Sequence, residues 1–254
     1  MSEVLSNIVP PLARVVLNRP EKRNAVTAAM WQSLRDIASQ LAAEPSVRVA
    51  VLSGAGTEAF SAGADIIEMQ RNLADPPRMK NMQDIVLEAQ ACWEALPTPT
   101  IAMIRGACTG GGCGLALACD LRFATPDAFF AIPPAKLGRA YCLADTKRLF
   151  DLVGPSRAKE ILYTGRKVGA AEALRLGLIN DIVPAEEIDA HVLRVAHDIA
   201  ANAANSVRAA KAVVNLIADG TRAATAESRR FYDERFSSPE VREGARAVRE
   251  MRAP

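Results

Sequence analysis

One glycine-rich stretch, residues 106–114, constrains the fold of this chain more than any other. It follows an apolar run at 101–104 that predicts a buried strand, and it precedes small and apolar residues at 115–119 that predict a helix. Four of its last five positions are glycine. Glycine loses much backbone entropy on folding, so a chain keeps it where the backbone must turn tightly or approach something closely. Because N–H groups at a helix start favour negative charge, the stretch predicts a main-chain pocket for an anion, a phosphate or a developing oxyanion.

Composition and charge exclude several classes of protein. The net charge of +2 arises from 31 basic and 29 acidic residues, which gives no footprint for nucleic acid. We expect no membrane span and no signal peptide, since no apolar run is long enough and the first residues lack the pattern. Five cysteines without C-x-x-C spacing predict buried thiols in a reducing, cytoplasmic compartment. The two histidines lie far from them, so no metal site is expected.

Strand-like and helical patterns alternate through the first part of the chain, which predicts an α/β fold with a largely parallel sheet. Apolar residues recur at helical spacing over 30–41, and Thr27 is predicted to cap that helix. The polar segment 71–83 contains two consecutive prolines and predicts a mobile loop or lid, followed by a helix from about residue 84 to 96. Strands are predicted at 13–17, 47–52, 101–104, 121–124 and 178–183.

The composition changes near residue 200 from mixed α/β to helical. We therefore predict a core at residues 1–199 and a C-terminal helical oligomerisation module at 200–254. Within the module, Ser238 followed by Pro239 predicts a helix start, because serine caps well and proline suits the first helical position.

A second glycine pattern, at residues 54–59, loosely matches the G-x-G-x-x-A loop of dinucleotide-binding proteins. Such a loop opens a long helix and leads to a strand that ends in an acidic residue. Here Phe60-Ser-Ala-Gly63 interrupts the helix at once, so we do not expect nicotinamide binding. The chain also lacks a G-x-S-x-G motif, and its two histidines argue against Ser-His-Asp or Cys-His catalysis.

Several motifs, taken in order, resemble the crotonase (enoyl-CoA hydratase/isomerase) superfamily. They keep the order and spacing of that family over about residues 10–252, and the ordered set is specific although no single motif is decisive. The motifs are Leu17-Asn-Arg-Pro-Glu-Lys-Arg-Asn-Ala25, Phe60-Ser-Ala-Gly-Ala-Asp65, Gly106-Ala-Cys-Thr-Gly-Gly-Gly-Cys113, Leu117-Ala-Cys-Asp120, Lys136-Leu-Gly138, Lys147-Arg-Leu149, Thr164-Gly-Arg166 and Glu172-Ala-Leu-Arg-Leu-Gly-Leu178.

The resemblance implies a spiral of ββα turns with a C-terminal helical trimerisation region, in a homotrimer or a dimer of trimers. It implies acyl-CoA thioesters as substrates, as in fatty acid metabolism, with CoA as part of the substrate and no separate cofactor. Family members polarise the thioester carbonyl with two backbone N–H groups. By motif, this oxyanion hole corresponds to Ala64 and Gly111.

The resemblance also implies which residues contact CoA. Basic residues of the first motif are candidates for the phosphates, although a solvated loop explains either of them alone. Arg252 is a weaker candidate for a neighbouring subunit's CoA. The candidates in the core are Ala62, Asp65 and Ile66 around the adenine, and Lys22 and Arg23 at the phosphates.

The chain departs from the family at two positions. Hydratases carry two glutamates that hold a water and move its proton; the corresponding residues here are Gly114 and Pro134, and neither can transfer a proton. Isomerases typically use the second position, so that route is in doubt too. Tyr141 matches an active-site tyrosine of decarboxylases of the methylmalonyl-CoA type, or closes the rim of the pocket. Cys142 lies near a position where some dehalogenases and dienoyl isomerases have aspartate.

Two acidic residues near these motifs have alternative interpretations. Asp145 is a candidate for the pocket or the N-cap of a helix at 146–152. Glu68 faces the pocket or is a solvated helix residue.

Three functions follow from this pattern. The first is a hydratase/isomerase-type enzyme with an unusual proton-transfer set, and the second is a crotonase of another chemistry, such as a decarboxylase that uses Tyr141. The third is an acyl-CoA binder without catalysis.

Overall fold

The computed structural model describes residues 2–233 together with positions 241 and 246. The predicted helix start at Ser238-Pro239 and the candidate CoA contact Arg252 lie outside these residues. The chain divides into two units, Met1–His197 and Asp198–Pro254. A role of the second unit in oligomerisation stays a prediction.

The strands of the first unit form two sheets, one of six strands and one of four. Runs predicted at 13–17, 47–52, 101–104 and 121–124 are confirmed as strands, whereas the run at 178–183 contributes two residues only. The strands are β1 (Val4–Val9), β2 (Leu12–Leu17), β3 (Val49–Gly54), β4 (Ala59–Ser61), β5 (Thr100–Ile104), β6 (Ala107–Thr109), β7 (Leu121–Ala124), β8 (Phe129–Ala131), β9 (Lys167–Gly169) and β10 (Asp181–Ile182).

From β3 to β8, successive strands alternate between the two sheets. The larger sheet has the order β1-β2-β3-β5-β7-β10, and the smaller has the order β4-β6-β8-β9. The pairs β3/β4, β5/β6 and β7/β8 each give their first strand to the larger sheet and their second to the smaller, and helices follow them. This is the predicted ββα spiral.

Most strand pairs are parallel, as predicted. The hairpin of β1 with β2 and the pairing of β8 with β9 are antiparallel. Parallel strands buried on both faces read as continuous apolar runs, and β3 does so, with its first five residues buried. Because residues 54–59 end β3 and lead into β4 rather than a helix, they do not form a dinucleotide-binding loop.

Helices follow the spiral turns, and further helices lie in the described part of the second unit. Thr27 caps the first helix as predicted, accepting a hydrogen bond from the Met30 amide at 3.3 Å. The helices are α1 (Ala28–Ala42), α2 (Ile66–Leu73), α3 (Pro76–Glu94), α4 (Gly111–Leu117), α5 (Leu143–Thr164, with non-helical backbone at Gly154), α6 (Ala170–Leu176), α7 (Ile188–Ala201), α8 (Ala204–Ala218) and α9 (Ala226–Asp233).

The prediction of a loop or lid at residues 71–83 is wrong. This segment contains the end of α2 and the first half of α3. Pro76 and Pro77 occupy the first turn of α3, where the amides have no partner inside the helix, so the prolines cost no hydrogen bond. Asp75 caps this helix by accepting from the Arg78 amide at 3.2 Å.

Large apolar side chains of α1 and α3 pack in the core near the glycine-rich stretch. Trp31 of α1 and Trp93 of α3 are fully buried, and the Trp93 indole donates to the Leu34 carbonyl at 3.1 Å. A Cβ built on Gly111 would lie 3.3 Å from the Trp31 ring, so α1 supports the start of α4. Among the described residues, no helix combines the length and apolarity needed to cross a membrane.

Candidate active site

A cavity of about 440 Å³ lies beside the start of α4. Its wall is formed by the loop that follows β4, the start of α4, the cavity-facing side of α3 and the segment from Pro133 to Asp145. Six predicted site residues line it: Ala62, Ala64, Asp65, Ile66, Gly111 and Tyr141.

The two predicted oxyanion-hole loops touch through their backbones. Gly63 has φ +92°, and a Cβ at this position would lie 2.8 Å from the Thr109 carbonyl oxygen and 3.4 Å from the Gly111 nitrogen. The Thr109 hydroxyl donates to the Ala62 carbonyl at 2.7 Å. Any side chain at residue 63 would therefore push the loop away from the start of α4.

Ala64 and Gly111 both line the cavity. Val26 pairs with Ala64 in a parallel bridge that uses the Gly63 carbonyl and the Asp65 amide. The Ala64 N–H belongs to the same trans peptide group as the Gly63 carbonyl, which faces Val26, so the Ala64 amide points away from Val26. Gly111 is the first residue of α4, and an amide there has no partner within the helix.

Close packing and site formation are combined in the glycine triplet. A Cβ on Gly112 would lie 2.5 Å from the Ser61 side chain, so glycine is needed here for packing of α4 against β4. The Ser61 hydroxyl donates to the Asn24 carbonyl at 2.8 Å and accepts from the Gly63 amide at 3.1 Å. The packing contact thus also orders the loop that carries Ala64.

Sequence reasoning missed two residues that hold this loop, Asn24 and Arg19. The Asn24 side chain is fully buried and donates to the carbonyls of Ala55 and Ala59 at 2.9 and 2.7 Å. Its φ of +53° is a conformation that asparagine tolerates better than most residues. Both residues belong to the motif at 17–25, which could have identified them.

Asp65 has a structural role in this loop. It caps α2 by accepting from the Glu68 amide at 3.0 Å, and its other oxygen accepts from Arg19 at 3.0 Å. The hydrogen bond from the Glu68 amide lowers the pKa of Asp65, and the Arg19 guanidinium adds to this. Ile66, beside it, is 64% exposed and offers an open apolar surface at the mouth of the cavity.

Lys22 and Arg23 lie in the loop after β2 and are exposed. Lys22 ends a 3-10 turn, and Arg23 pairs with Glu58 at 3.6 Å. Neither Lys22 nor Arg23 is among the described residues that line the cavity. Glu68 does not line it either: its carboxylate accepts from the Ala28 amide at 2.8 Å and ties α2 to the start of α1.

The space that a side chain at Gly114 would need is already occupied. A Cβ there would lie 2.4 Å from Gln90 Nε2 and 2.7 Å from Asp145 Oδ1. Pro134 opens a 3-10 turn on the cavity wall. The two positions predicted from the resemblance to correspond to hydratase glutamates are therefore a filled helix contact and a turn.

Tyr141 presents its hydroxyl within this wall. The Tyr141 oxygen is buried and has no hydrogen-bond partner among the described residues. Burial raises the pKa of this hydroxyl well above its usual value, and the nearby Asp145 carboxylate adds to the shift. The hydroxyl is therefore protonated at neutral pH and can donate a hydrogen bond to a ligand.

The prediction of Asp145 as a helix N-cap is wrong. The cap of α5 is Cys142, whose sulfur accepts from the Asp145 amide at 3.4 Å, so Asp145 lies in the first turn of the helix. Its side chain is buried and lines the cavity. Burial raises the pKa of this carboxyl group, while the positive charge of Arg148 opposes the shift.

Arg148 connects Asp145 to α3. It donates to Asp145 Oδ1 at 2.9 Å and to Glu94 at 2.6 Å. The Gln90 side-chain oxygen lies 3.4 Å from the same guanidinium. Neither here nor elsewhere in the described part of the chain could a cluster of three or more His, Cys, Asp or Glu side chains hold a metal ion.

Comparisons with known proteins identify the family. The family model described as enoyl-CoA hydratase/isomerase matches residues 9–254. The protein YngF of Bacillus subtilis, named for this family, is 35% identical over 249 residues, covering 95% of this chain and 92% of its own. A crotonyl-CoA hydratase of Syntrophomonas wolfei is 35% identical over 243 residues, with the same two coverages. A solved structure of an enoyl-CoA hydratase/isomerase family protein from Hyphomonas neptunium is 37% identical, with a TM-score of 0.95 over 99% of this chain and 96% of that one. This chain therefore belongs to the enoyl-CoA hydratase/isomerase family, the crotonase superfamily.

Proposed function

We propose that this protein binds an acyl-CoA thioester and stabilises the enolate that forms from it. The amides of Ala64 and Gly111 would donate to the thioester oxygen as negative charge develops there. The observation that carries this proposal is the close contact of the Gly63–Ala64 backbone with the start of α4 on one cavity wall. One preorganised donor of this kind is worth about 2.7–4 kcal/mol in the transition state.

Family membership supports the choice of substrate. In this proposal the acyl chain occupies the cavity, and the backbone at Ala62, Asp65 and Ile66 lies beside the adenine. Lys22 and Arg23 would contact the phosphates from outside the cavity, since they are exposed cations of the adjoining loop. Trimer formation through the second unit, a cytoplasmic location and the absence of a separate cofactor remain predictions.

Lyase and isomerase reactions of thioesters can both pass through the proposed enolate. The residues at the two glutamate positions, Gly114 and Pro134, argue against ordinary hydration. A second candidate, decarboxylation, is favoured by the unpartnered Tyr141 hydroxyl. In that reaction the bond from Cα to the carboxylate carbon breaks, its electron pair enters the enolate, CO₂ leaves, and a donor returns a proton to Cα.

The test is a comparison of three assays on purified protein. They are hydration of crotonyl-CoA, loss of CO₂ from malonyl-type CoA esters, and exchange of the Cα protons of butyryl-CoA in D₂O, followed by NMR. Exchange with slow hydration is the expected result. Tight binding of the esters without any turnover would contradict the proposal and favour a non-catalytic acyl-CoA binder.

Tyr141→Phe separates the two candidate reactions, because it removes only the hydroxyl. Loss of CO₂ release in this variant, with ester binding unchanged, would support decarboxylation. Unchanged CO₂ release would contradict a role for Tyr141 in it.

A further inference from the structure

We propose that Asp145 is the residue that moves the substrate proton, taking over from the glutamate that is missing at Gly114. This inference rests on the enolate chemistry proposed above and names a group that can perform it. It comes from the geometry of α4 and α5, since a different element supplies the carboxylate to the same space.

Asp145 lies close to the proposed oxyanion hole. Gly111 and Gly114 are three residues apart on α4 and therefore lie on one face of the helix. Asp145 Oδ1 lies 2.7 Å from the point where a Gly114 Cβ would be. The carboxylate of α5 thus lies one helical turn from the proposed oxyanion donor, and it lines the same cavity.

Asp145 is a buried carboxylate that its partner Arg148 does not require. The Asp145 side chain is 8% exposed, and its partner Arg148 is 4% exposed. Arg148 already has a second acidic partner, Glu94, at 2.6 Å, whose side chain is 47% exposed. Two carboxylates thus share one guanidinium, and Asp145 is not needed to neutralise it. Burying a charged group is costly, so a buried carboxylate that the fold does not need, on a cavity wall, is typical of a functional site.

The polar and charged neighbours of Asp145 also support this assignment. Tyr141 places an unpartnered, buried hydroxyl on the same wall, and Gln90 Nε2 lies beside the Gly114 position. The titratable or charged groups around Asp145 are Tyr141, Cys142 and Arg148 of its own segment and Glu94 of α3. Burial raises the pKa of Asp145 toward the working pH of a general base.

The proton transfer balances without another reactant. The Asp145 carboxylate accepts the Cα proton of the bound thioester, the C–H bonding pair moves into the enolate, and the oxygen charge is held by the two amides. The reverse step returns the proton from the carboxylic acid to Cα. In a substrate with a double bond next to the enolate, return to Cγ instead shifts that double bond.

Asp145→Asn tests this assignment, because asparagine keeps the size of the side chain and an oxygen for Arg148. Glu94→Gln is the matched control, since it neutralises the other carboxylate of Arg148, which does not line the cavity. The measurement is Cα-proton exchange of butyryl-CoA in D₂O as a function of pH, together with the Kd of the ester.

We expect Asp145→Asn to lose exchange by about 10²–10⁴-fold with little change in Kd, and Glu94→Gln to retain it. The wild-type rate should rise with pH as Asp145 ionises, and this rise should be missing in Asp145→Asn. Exchange by Asp145→Asn within about threefold of wild type would overturn the assignment and leave the proposed enolate chemistry intact. Absence of exchange in the wild type, with the ester bound, would overturn the enolate chemistry and this inference with it.

Discussion

Replacing Gly111 by proline removes one backbone N–H from the proposed oxyanion hole and no side-chain group. Proline suits the first position of a helix, where its fixed φ fits and the missing amide has no partner in the helix. The preceding Gly110 has φ 53° and ψ −122°, outside the helical region that a following proline disfavours.

Gly111→Ala is the matched control. Alanine keeps the amide but introduces the same Cβ, which would lie 3.3 Å from the Trp31 ring. That contact is tight and requires a shift of a few tenths of an ångström, so we expect both variants to lose about 1 kcal/mol of stability. The difference between the two variants therefore reports the loss of the amide N–H together with the two ring carbons that proline adds.

The expected difference in catalysis is large. Loss of one oxyanion-hole donor costs about 10²–10³-fold in rate, which is about 2.7–4 kcal/mol. Cα-proton exchange of butyryl-CoA in D₂O measures it, with circular dichroism and ester binding as checks on folding. Equal exchange rates in Gly111→Pro and Gly111→Ala would refute the role of this amide.

Three further predictions concern stability. Gly114→Ala should destabilise the fold by about 1–3 kcal/mol in urea unfolding, because the new Cβ meets Gln90 and Asp145, and by less in a Gln90→Ala background. If Gly114→Ala costs as much stability in the Gln90→Ala background as in the wild type, this contact is contradicted. Asn24→Ala should cost about 1–3 kcal/mol or more, since two buried carbonyls lose their donor; a neutral effect would argue against that role. Burial raises the pKa of Asp145 in the folded state above its ordinary value of 3.8. The stability that the protonated Asp145 contributes is therefore fully present below pH 3.8 and is lost as pH rises through the raised pKa. Over this pH range, the unfolding free energy of Asp145→Asn should therefore change less with pH than that of the wild type. Parallel curves of unfolding free energy against pH for the two proteins would contradict the effect of burial.

The alternating strands and helices of the core could be predicted from the sequence because its local signals agree with its tertiary structure, whereas the spiral arrangement followed from the resemblance to the family. The runs of β3 and β5 are almost continuously buried, and most residues of β2 and β7 are buried too, so their pattern is strong. The glycines at 110–114 require special backbone or close packing, which is readable without coordinates.

Other elements could not be predicted because tertiary contacts decide them. The first half of α3 is polar and starts with two prolines, and it is helical because Asp75 caps it and Met82 and Ile85 pack against the core. The helix α5 begins at Leu143, which is 86% exposed, so no apolar periodicity marks its start. The placement of Asp145 beside Gly114 joins residues 31 positions apart in the chain and follows only from the packing of α5 on α4.

The most direct test of the enolate proposal is a crystal structure of the protein with a bound acyl-CoA. The measurement is the pair of distances from the thioester oxygen to the amide nitrogens of Ala64 and Gly111. We predict that both lie at about 2.7–3.1 Å, the range of an oxyanion hole. A thioester oxygen bound in the cavity beyond hydrogen-bond reach of both amides would contradict the account.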